Sequence, residues 1–439
     1  MNRRDLLKLF GLTPLAGAVG RYGGRAVEGA GTALPAYRPS AQLLVPMDDA
    51  QTNHLKAYGI CFHAIERGGS CEWLLNYRGG SFFIPDEPVA RRAAALAGVL
   101  IESVGDSAVA AIRGEIIGQN MDAIPLERVP RVAIYSPPNA NPWDDAVTMA
   151  LQYAEIPFTK VWDPEVMAGG LRDFEWLHLH HEDFTGQYSK FFANYQGAAW
   201  LEDMVQRNQA AARQLNFRTV PDLKKAVAAR IRDYVEGGGF LFAMCTATET
   251  LELALAAHDV DIAAAFADGS PMDPDANSKM DWARALACTG AHLETSSGTA
   301  SFSDIDGHQV NNAGRRQPLG AFELFNFSAK IDPVPSMLVQ SHRNVIPDFY
   351  GLTTSFTRAT LKPADIILAE EPGAPWVKYI HGDLGRGTWT YYGGHDPEDP
   401  QHQIGDTPTD LSLHPTSPGY RLILNNVLFP AAKKRELKT

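Results

Sequence analysis

Cysteine is scarce in this chain: four in 439 residues, at Cys61, Cys71, Cys245 and Cys288, with no CxxC pair among them. That number excludes a disulfide framework as the basis of stability, although Cys61 and Cys71 are near enough in sequence to bridge in an oxidising compartment. Basic runs are also missing until Lys433-Lys434-Arg435, and the formal net charge is -12. A phosphate-binding surface needs concentrated Lys and Arg, so nucleic acid is excluded as a partner. Hydrophobic residues make up 45% and charged residues 21%, with eight Trp and fourteen Tyr, which excludes disorder and a fibrous repeat. What remains is a globular chain with room for two or three domains, or for one large α/β domain carrying insertions.

The first twenty residues carry a paired arginine, Arg3-Arg4, followed by an apolar stretch to Val19. This order resembles a bacterial twin-arginine export signal and is too short for a membrane span. Residues 1–35 are therefore expected to be a signal and linker, the location periplasmic or secreted, and the mature chain free of a transmembrane anchor.

Leu43 to Met47 reads as a strand, Asn53 to Arg67 as a helix with Leu55, Tyr58, Phe62 and Ile65 on one stripe, and Cys71 to Leu75 as a second strand. Residues 36–125 are thus expected to form an N-terminal β-α-β unit. Strands at Arg131 to Tyr135, Phe158 to Trp162, Trp176 to His180 and Phe240 to Met244, with intervening helices, predict a doubly wound, mostly parallel α/β sheet. That domain covers 126–257 and 360–439, closing with a hairpin at Val377 to Ile380 and Thr388 to Tyr392 and a helix at Tyr420 to Leu428. Residues 258–359, rich in Asp, Ser, Gly and Asn, read as a loop-rich insertion.

Cys245 stands where the apolar run Phe240 to Met244 must turn into a helix. Thr246 and Glu249 have capping-box spacing, and Ala243 and Ala247 are the small residues that a tight nucleophile elbow requires. A thiol at a helix N-terminus is favoured as thiolate by the macrodipole and the unpaired backbone N–H groups. This segment resembles the elbow of class I glutamine amidotransferase-like proteins, with alanine where that family has glycine. Tyr391-Tyr392-Gly393-Gly394-His395-Asp396-Pro397-Glu398 resembles the family's histidine and glutamate after a late strand, with one residue more between His395 and Glu398. The hairpin, Gly-Gly-His and closing helix are similar to the trehalose-utilisation-type branch. The resemblance implies that Cys245 attacks an amide carbonyl, His395 accepts its proton, and Glu398 or Asp396 orients the imidazole.

Leu177-His178-Leu179-His180-His181-Glu182-Asp183 is the densest group of ligand-type residues. A strand here puts His178 and His180 on one face and leaves His181, Glu182 and Asp183 in the loop at its carboxyl end, where open α/β sheets bind ligands. Two uses follow from the residue types. His178, His180 and His181 suit a divalent ion such as Zn, Fe or Mn; alternatively His181, Glu182 and Asp183 bind substrate beside Cys245. Asp48, and Arg78 in the loop after the second strand, are further candidates for holding a polar substrate.

Pro46-Met47-Asp48 and His180-His181-Glu182-Asp183 also resemble exported bacterial proteins labelled asparagine synthetase B. Asparagine synthetase proper uses an N-terminal cysteine and a Ser-Gly-Gly loop for ATP, and this sequence has neither. The expected activity is hydrolysis of a small amide, or of a sugar-derived substrate, through Cys245 and His395. The alternatives are a non-catalytic ligand-binding protein and a metal-dependent hydrolase using the loop from His178 to Asp183.

Overall fold

The computed structural model describes residues 42–138, 145–295, 299, 301–308, 317–401, 403 and 405–432. The expected signal at 1–35 lies outside them. The described residues belong to one compact unit.

Two sheets organise it. The smaller holds β1 (Gln42–Val45), β2 (Cys71–Leu75), β3 (Ser81–Pro85), β4 (Glu102–Val104) and β5 (Asp122–Leu126) in the order β4-β1-β3-β2-β5. Every ladder in it is antiparallel. The expected N-terminal β-α-β unit is therefore split. The helix His54–Glu66 does link β1 to β2, but β3 lies between them and hydrogen-bonds to both. The physical reason is the turn Asn76 to Gly80, where Asn76 and Arg78 take positive φ along with Gly79 and Gly80, folding the chain straight back into a hairpin.

The larger sheet contains β6 (Val132–Tyr135), β7 (Thr159–Val161), β8 (Trp176–Leu179), β9 (Phe240–Met244), β10 (Ala321–Leu324), β11 (Val345–Pro347), β12 (Phe356–Thr357), β13 (Ile366–Glu370), β14 (Trp376–Leu384) and β15 (Gly387–Tyr392). Its order is β11-β10-β13-β14-β15-β9-β8-β6-β7, with β12 on β14. The run β7-β6-β8-β9-β15 is parallel. From β15 outward to β11 every ladder is antiparallel. The protein is thus mixed α/β, and the expectation of a mostly parallel sheet is corrected. β10, β11 and β12 come from the segment read as a loop-rich insertion; they are two to four residues long, too short to show an alternating pattern.

The inner parallel strands β6, β8 and β9 are buried on both faces, whereas β7 at the edge leaves Thr159 exposed. Along β9, Phe240, Phe242 and Met244 face one core with the helices Ala146–Tyr153 and Pro418–Leu428, while Leu241 and Ala243 face the other with Val220–Glu236 and Cys245–Ala256. Among the described residues no helix is long and apolar enough to cross a membrane.

Candidate active site at the carboxyl edge

Register places the candidate side chains on one edge. Leu179 on β8 is opposite Ala243 on β9, and Met244 is opposite Tyr392 on β15. His180, Cys245 and His395 therefore emerge from three adjacent parallel strands at their carboxyl ends, the position where open α/β sheets bind ligands. Backbone bonds fasten the three together. The Cys245 N–H donates to the Gly394 carbonyl (3.1 Å) and the Ala247 N–H to the His180 carbonyl (2.9 Å).

Cys245 has φ +49° although it is not glycine, in a left-handed conformation that L residues avoid at about 1–2 kcal/mol. The strain belongs to the abrupt passage from β9 into the helix Cys245–Ala256. The expected capping box does not form: Met244 is the N-cap, without a side-chain bond. Glu249 turns inward and accepts from Ser303 Oγ (2.6 Å) and Thr353 Oγ1 (2.9 Å). It is fully buried, which together with the nearby Asp306 carboxylate pushes its pKa up to about 8. The Cys245 thiol is buried and accepts from the Leu352 N–H at 3.3 Å.

Leu352 lies in a strap, Tyr350 to Ser355, that crosses the edge. The His395 N–H donates to the Tyr350 carbonyl (2.8 Å) and the Gly394 N–H to the Thr353 carbonyl (2.9 Å). Gly351 permits this approach, because a Cβ there would stand 2.8 Å from the Gly394 carbonyl carbon and 3.0 Å from the His395 nitrogen. Behind the strap, Lys378 donates to the Phe349 (2.8 Å) and Thr354 (2.9 Å) carbonyls and pairs with Asp348. Burial lowers the Lys378 pKa against the pull of that carboxylate.

The histidines form a chain. The His178 Nδ1 lies 2.9 Å from the Phe242 carbonyl, and its Nε2 lies 3.3 Å from His180 Nδ1. The His180 Nε2 lies 3.1 Å from His395 Nδ1. The His181 ring lies nearly parallel to that of His395, with centroids 6.1 Å apart. Asp145 underpins the group: its Oδ1 is 3.4 Å from His178 Nε2 and 3.5 Å from His180 Nδ1. The same oxygen caps the helix Ala146–Tyr153, accepting from the Val147 (2.8 Å) and Thr148 (3.0 Å) N–H groups. Burial opposes ionisation of Asp145, but the His180 and His178 rings outweigh it and hold the carboxyl well below the usual range. Burial lowers the His180 pKa well below that of a free imidazole, against the pull of the Asp145 carboxylate. His178, His180 and His395 are buried and His181 is half-buried.

The remaining sequence candidates divide. Glu182 sits in the cluster, its Oε2 accepting from the His180 N–H at 3.4 Å, and burial raises its pKa. Burial raises that of Asp183 too, but its oxygens organise the following loop, accepting from Thr185, Gln187 and Ser189. Glu398 does not play the expected part at His395: its Oε2 lies 2.9 Å from Nδ1 of His414, whereas His395 presents Nδ1 to His180. Asp396 accepts from Thr409 Oγ1 and the Glu398 N–H. Arg78 and Asp48 bind each other (2.6 Å), with Glu102 completing the group in the smaller sheet.

Sequence reasoning missed Asp145 and the strap. Asp145 had a signal, an N-cap residue opening a helix soon after a strand's carboxyl end; the strap had none, because long-range packing alone defines it.

No protein-family model and no curated protein matches the chain. Among solved structures it is similar to "Cytoplasmic Protein STM3548 from Salmonella typhimurium", at 11% identity and a TM-score of 0.35, over 69% of this chain and 100% of that one. It is also similar to "Cytoplasmic Protein STM1381 from Salmonella typhimurium LT2", at 12% identity and a TM-score of 0.32, with the same coverage. Both are named as cytoplasmic, against the periplasmic or secreted location expected from the first residues, and that expectation is withdrawn.

Proposed function

We propose that this protein is a hydrolase of small acyl substrates, amides first, acting at the carboxyl edge of its parallel strands with Cys245 as the nucleophile. The observation that carries this reading is the left-handed Cys245 at the junction of β9 and its helix, on the same edge as His180 and His395. Non-glycine residues held in this conformation cluster at functional sites. The parallel order β7-β6-β8-β9-β15 also supports an amidotransferase-like scaffold, since numbering these five along the chain gives 2-1-3-4-5, a doubly wound order.

In this reading the thiol gives its proton to the histidine group and the thiolate attacks the carbonyl carbon. The C–N bond then breaks, the amine leaves with a proton from an imidazole, and water hydrolyses the thioester. The Leu352 N–H and the start of the helix stabilise negative charge at sulfur.

The test is the pH dependence of Cys245 alkylation in the folded protein, read by peptide mass mapping and followed by an amide-substrate screen with Cys245→Ala as control. Labelling of Cys245 in the folded protein is expected. A thiol that resists until the protein unfolds, or turnover that survives Cys245→Ala, refutes the nucleophile.

A further inference from the structure

Sequence spacing suggested His178, His180 and His181 as metal ligands, but the fold groups the imidazoles differently. One ligand atom each from His180, His181 and His395 lie within 4.8 Å of one another, and Asp145, His178 and His180 form a second such group behind them. We infer that His180, His181 and His395 form a divalent-metal site of the zinc class, with Asp145 as the outer group that orients His180. This rests on the proposed function in placing chemistry at the same edge, while ion binding itself is independent of Cys245.

Three observations carry the assignment. Two imidazole nitrogens each about 2.05 Å from a tetrahedral ion are about 3.3 Å apart, and His180 Nε2 and His395 Nδ1 are 3.1 Å apart. The donors stand on fixed backbone, since the His180 carbonyl accepts from Ala247 and the His395 N–H donates to Tyr350. Asp145 then completes a carboxylate–histidine–metal arrangement. Its Oδ1, 3.5 Å from His180 Nδ1, favours the tautomer that leaves the Nε2 lone pair for an ion.

His178 belongs to the support. Its Nδ1 faces the Phe242 carbonyl, its Nε2 faces Asp145 and His180, and its ring stacks between Trp176 and Phe242. The half-buried His181 puts the open side of the trio toward solvent. An all-imidazole set selects zinc or a neighbouring transition metal over magnesium or calcium, which require oxygen ligands. A third group, His308, Asp348 and Glu371, carries no such inference, because the Lys378 ammonium already supplies a cation to Asp348. An ion at the trio would give this edge a fixed positive charge and an open position for a carbonyl oxygen.

The experiment is calorimetric titration of the chelator-treated full chain with Zn(II), repeated with Co(II) to read its visible absorption. One ion per chain with a sub-micromolar Kd is expected, and a Co(II) spectrum of nitrogen ligation. His181→Ala and His395→Ala should each weaken binding by about 100-fold or more, and Asp145→Asn by about 10–100-fold, with circular dichroism confirming each fold. His181 is half-buried, so its variant tests the site even if the others do not fold. Cys245→Ala should bind the ion as the parent does, which separates failure of the metal site from failure of the nucleophile. Absence of stoichiometric binding, unchanged affinity in His181→Ala, or loss of binding in Cys245→Ala overturns the all-histidine site. Loss in His178→Ala with retention in His181→Ala overturns it in favour of the inner group.

Discussion

Glu249 gives the sharpest quantitative expectation. In the folded protein its carboxyl is buried against Ser303, Thr353 and the Asp306 carboxylate, with a pKa raised from 4.5 to about 8. Between those two values the folded chain holds one proton at this position that the unfolded chain has released. Stability therefore falls as pH rises, by about 1.4 kcal/mol per unit and by roughly 5 kcal/mol across the interval. Glu249→Gln cannot ionise; its amide oxygen accepts from one of the two hydroxyls and its NH2 donates to the other, since in the parent they bond separate carboxyl oxygens. An unfolding entropy of about 2.1 cal/mol/K per residue over about 400 residues converts 1 kcal/mol into about 1.2 °C. The variant should match the parent near pH 4.5, exceed its melting midpoint by about 4 °C at pH 7, and by about 6 °C at pH 9. Differential scanning calorimetry across that range measures it, and the difference between the two curves cancels other titrating groups. Parallel curves, or a variant less stable at pH 9, would refute a buried, proton-holding Glu249.

Two further perturbations test the frame around the site. Lys224 lies 2.9 Å from Asp163 and 3.0 Å from the Tyr135 hydroxyl, with both charges buried; Asp163→Asn strands the ammonium and should cost about 3–5 kcal/mol, most of it recovered by adding Lys224→Met. Chemical denaturation of both single variants and the double variant checks this, and a double-variant loss equal to the sum of the two single losses would show that the pair is not coupled. Gly351→Ala forces a methyl against Gly394 and His395 and should destabilise by about 1–3 kcal/mol while changing Cys245 alkylation, because the next residue donates to its sulfur. Unchanged stability and labelling would show that the strap yields freely.

The strands at Trp176 and Phe240, the helix starting at Val220 and the terminal hairpin were legible in the sequence because long apolar runs and a triple glycine stop leave strong local signals. The smaller sheet was not. β3, β4 and β5 are three to five residues long, and their antiparallel pairing is settled by a positive-φ turn rather than by hydropathy. At the site, Cys245, His180, His181 and His395 were each recognisable from local context. Their grouping was not, since His395 meets His180 through strand order, and Asp145 is joined to both His178 and His180 by tertiary packing alone. Glu398 shows the limit of motif spacing: a carboxylate near His395 in sequence meets His414 instead.

β15 pairs in parallel with β9 and antiparallel with β14, although β9 lies far upstream in the sequence. Such non-local pairing is slow to form, because loop-closure entropy precedes the contacts that offset it. During synthesis β8 and β9 can associate first, but His395 reaches the edge only when β15 docks beside β9. The proposed chemistry of this edge would therefore be withheld from the growing chain, and a product ending before β15 would retain Cys245 and His180 without the strand that brings the third group to them.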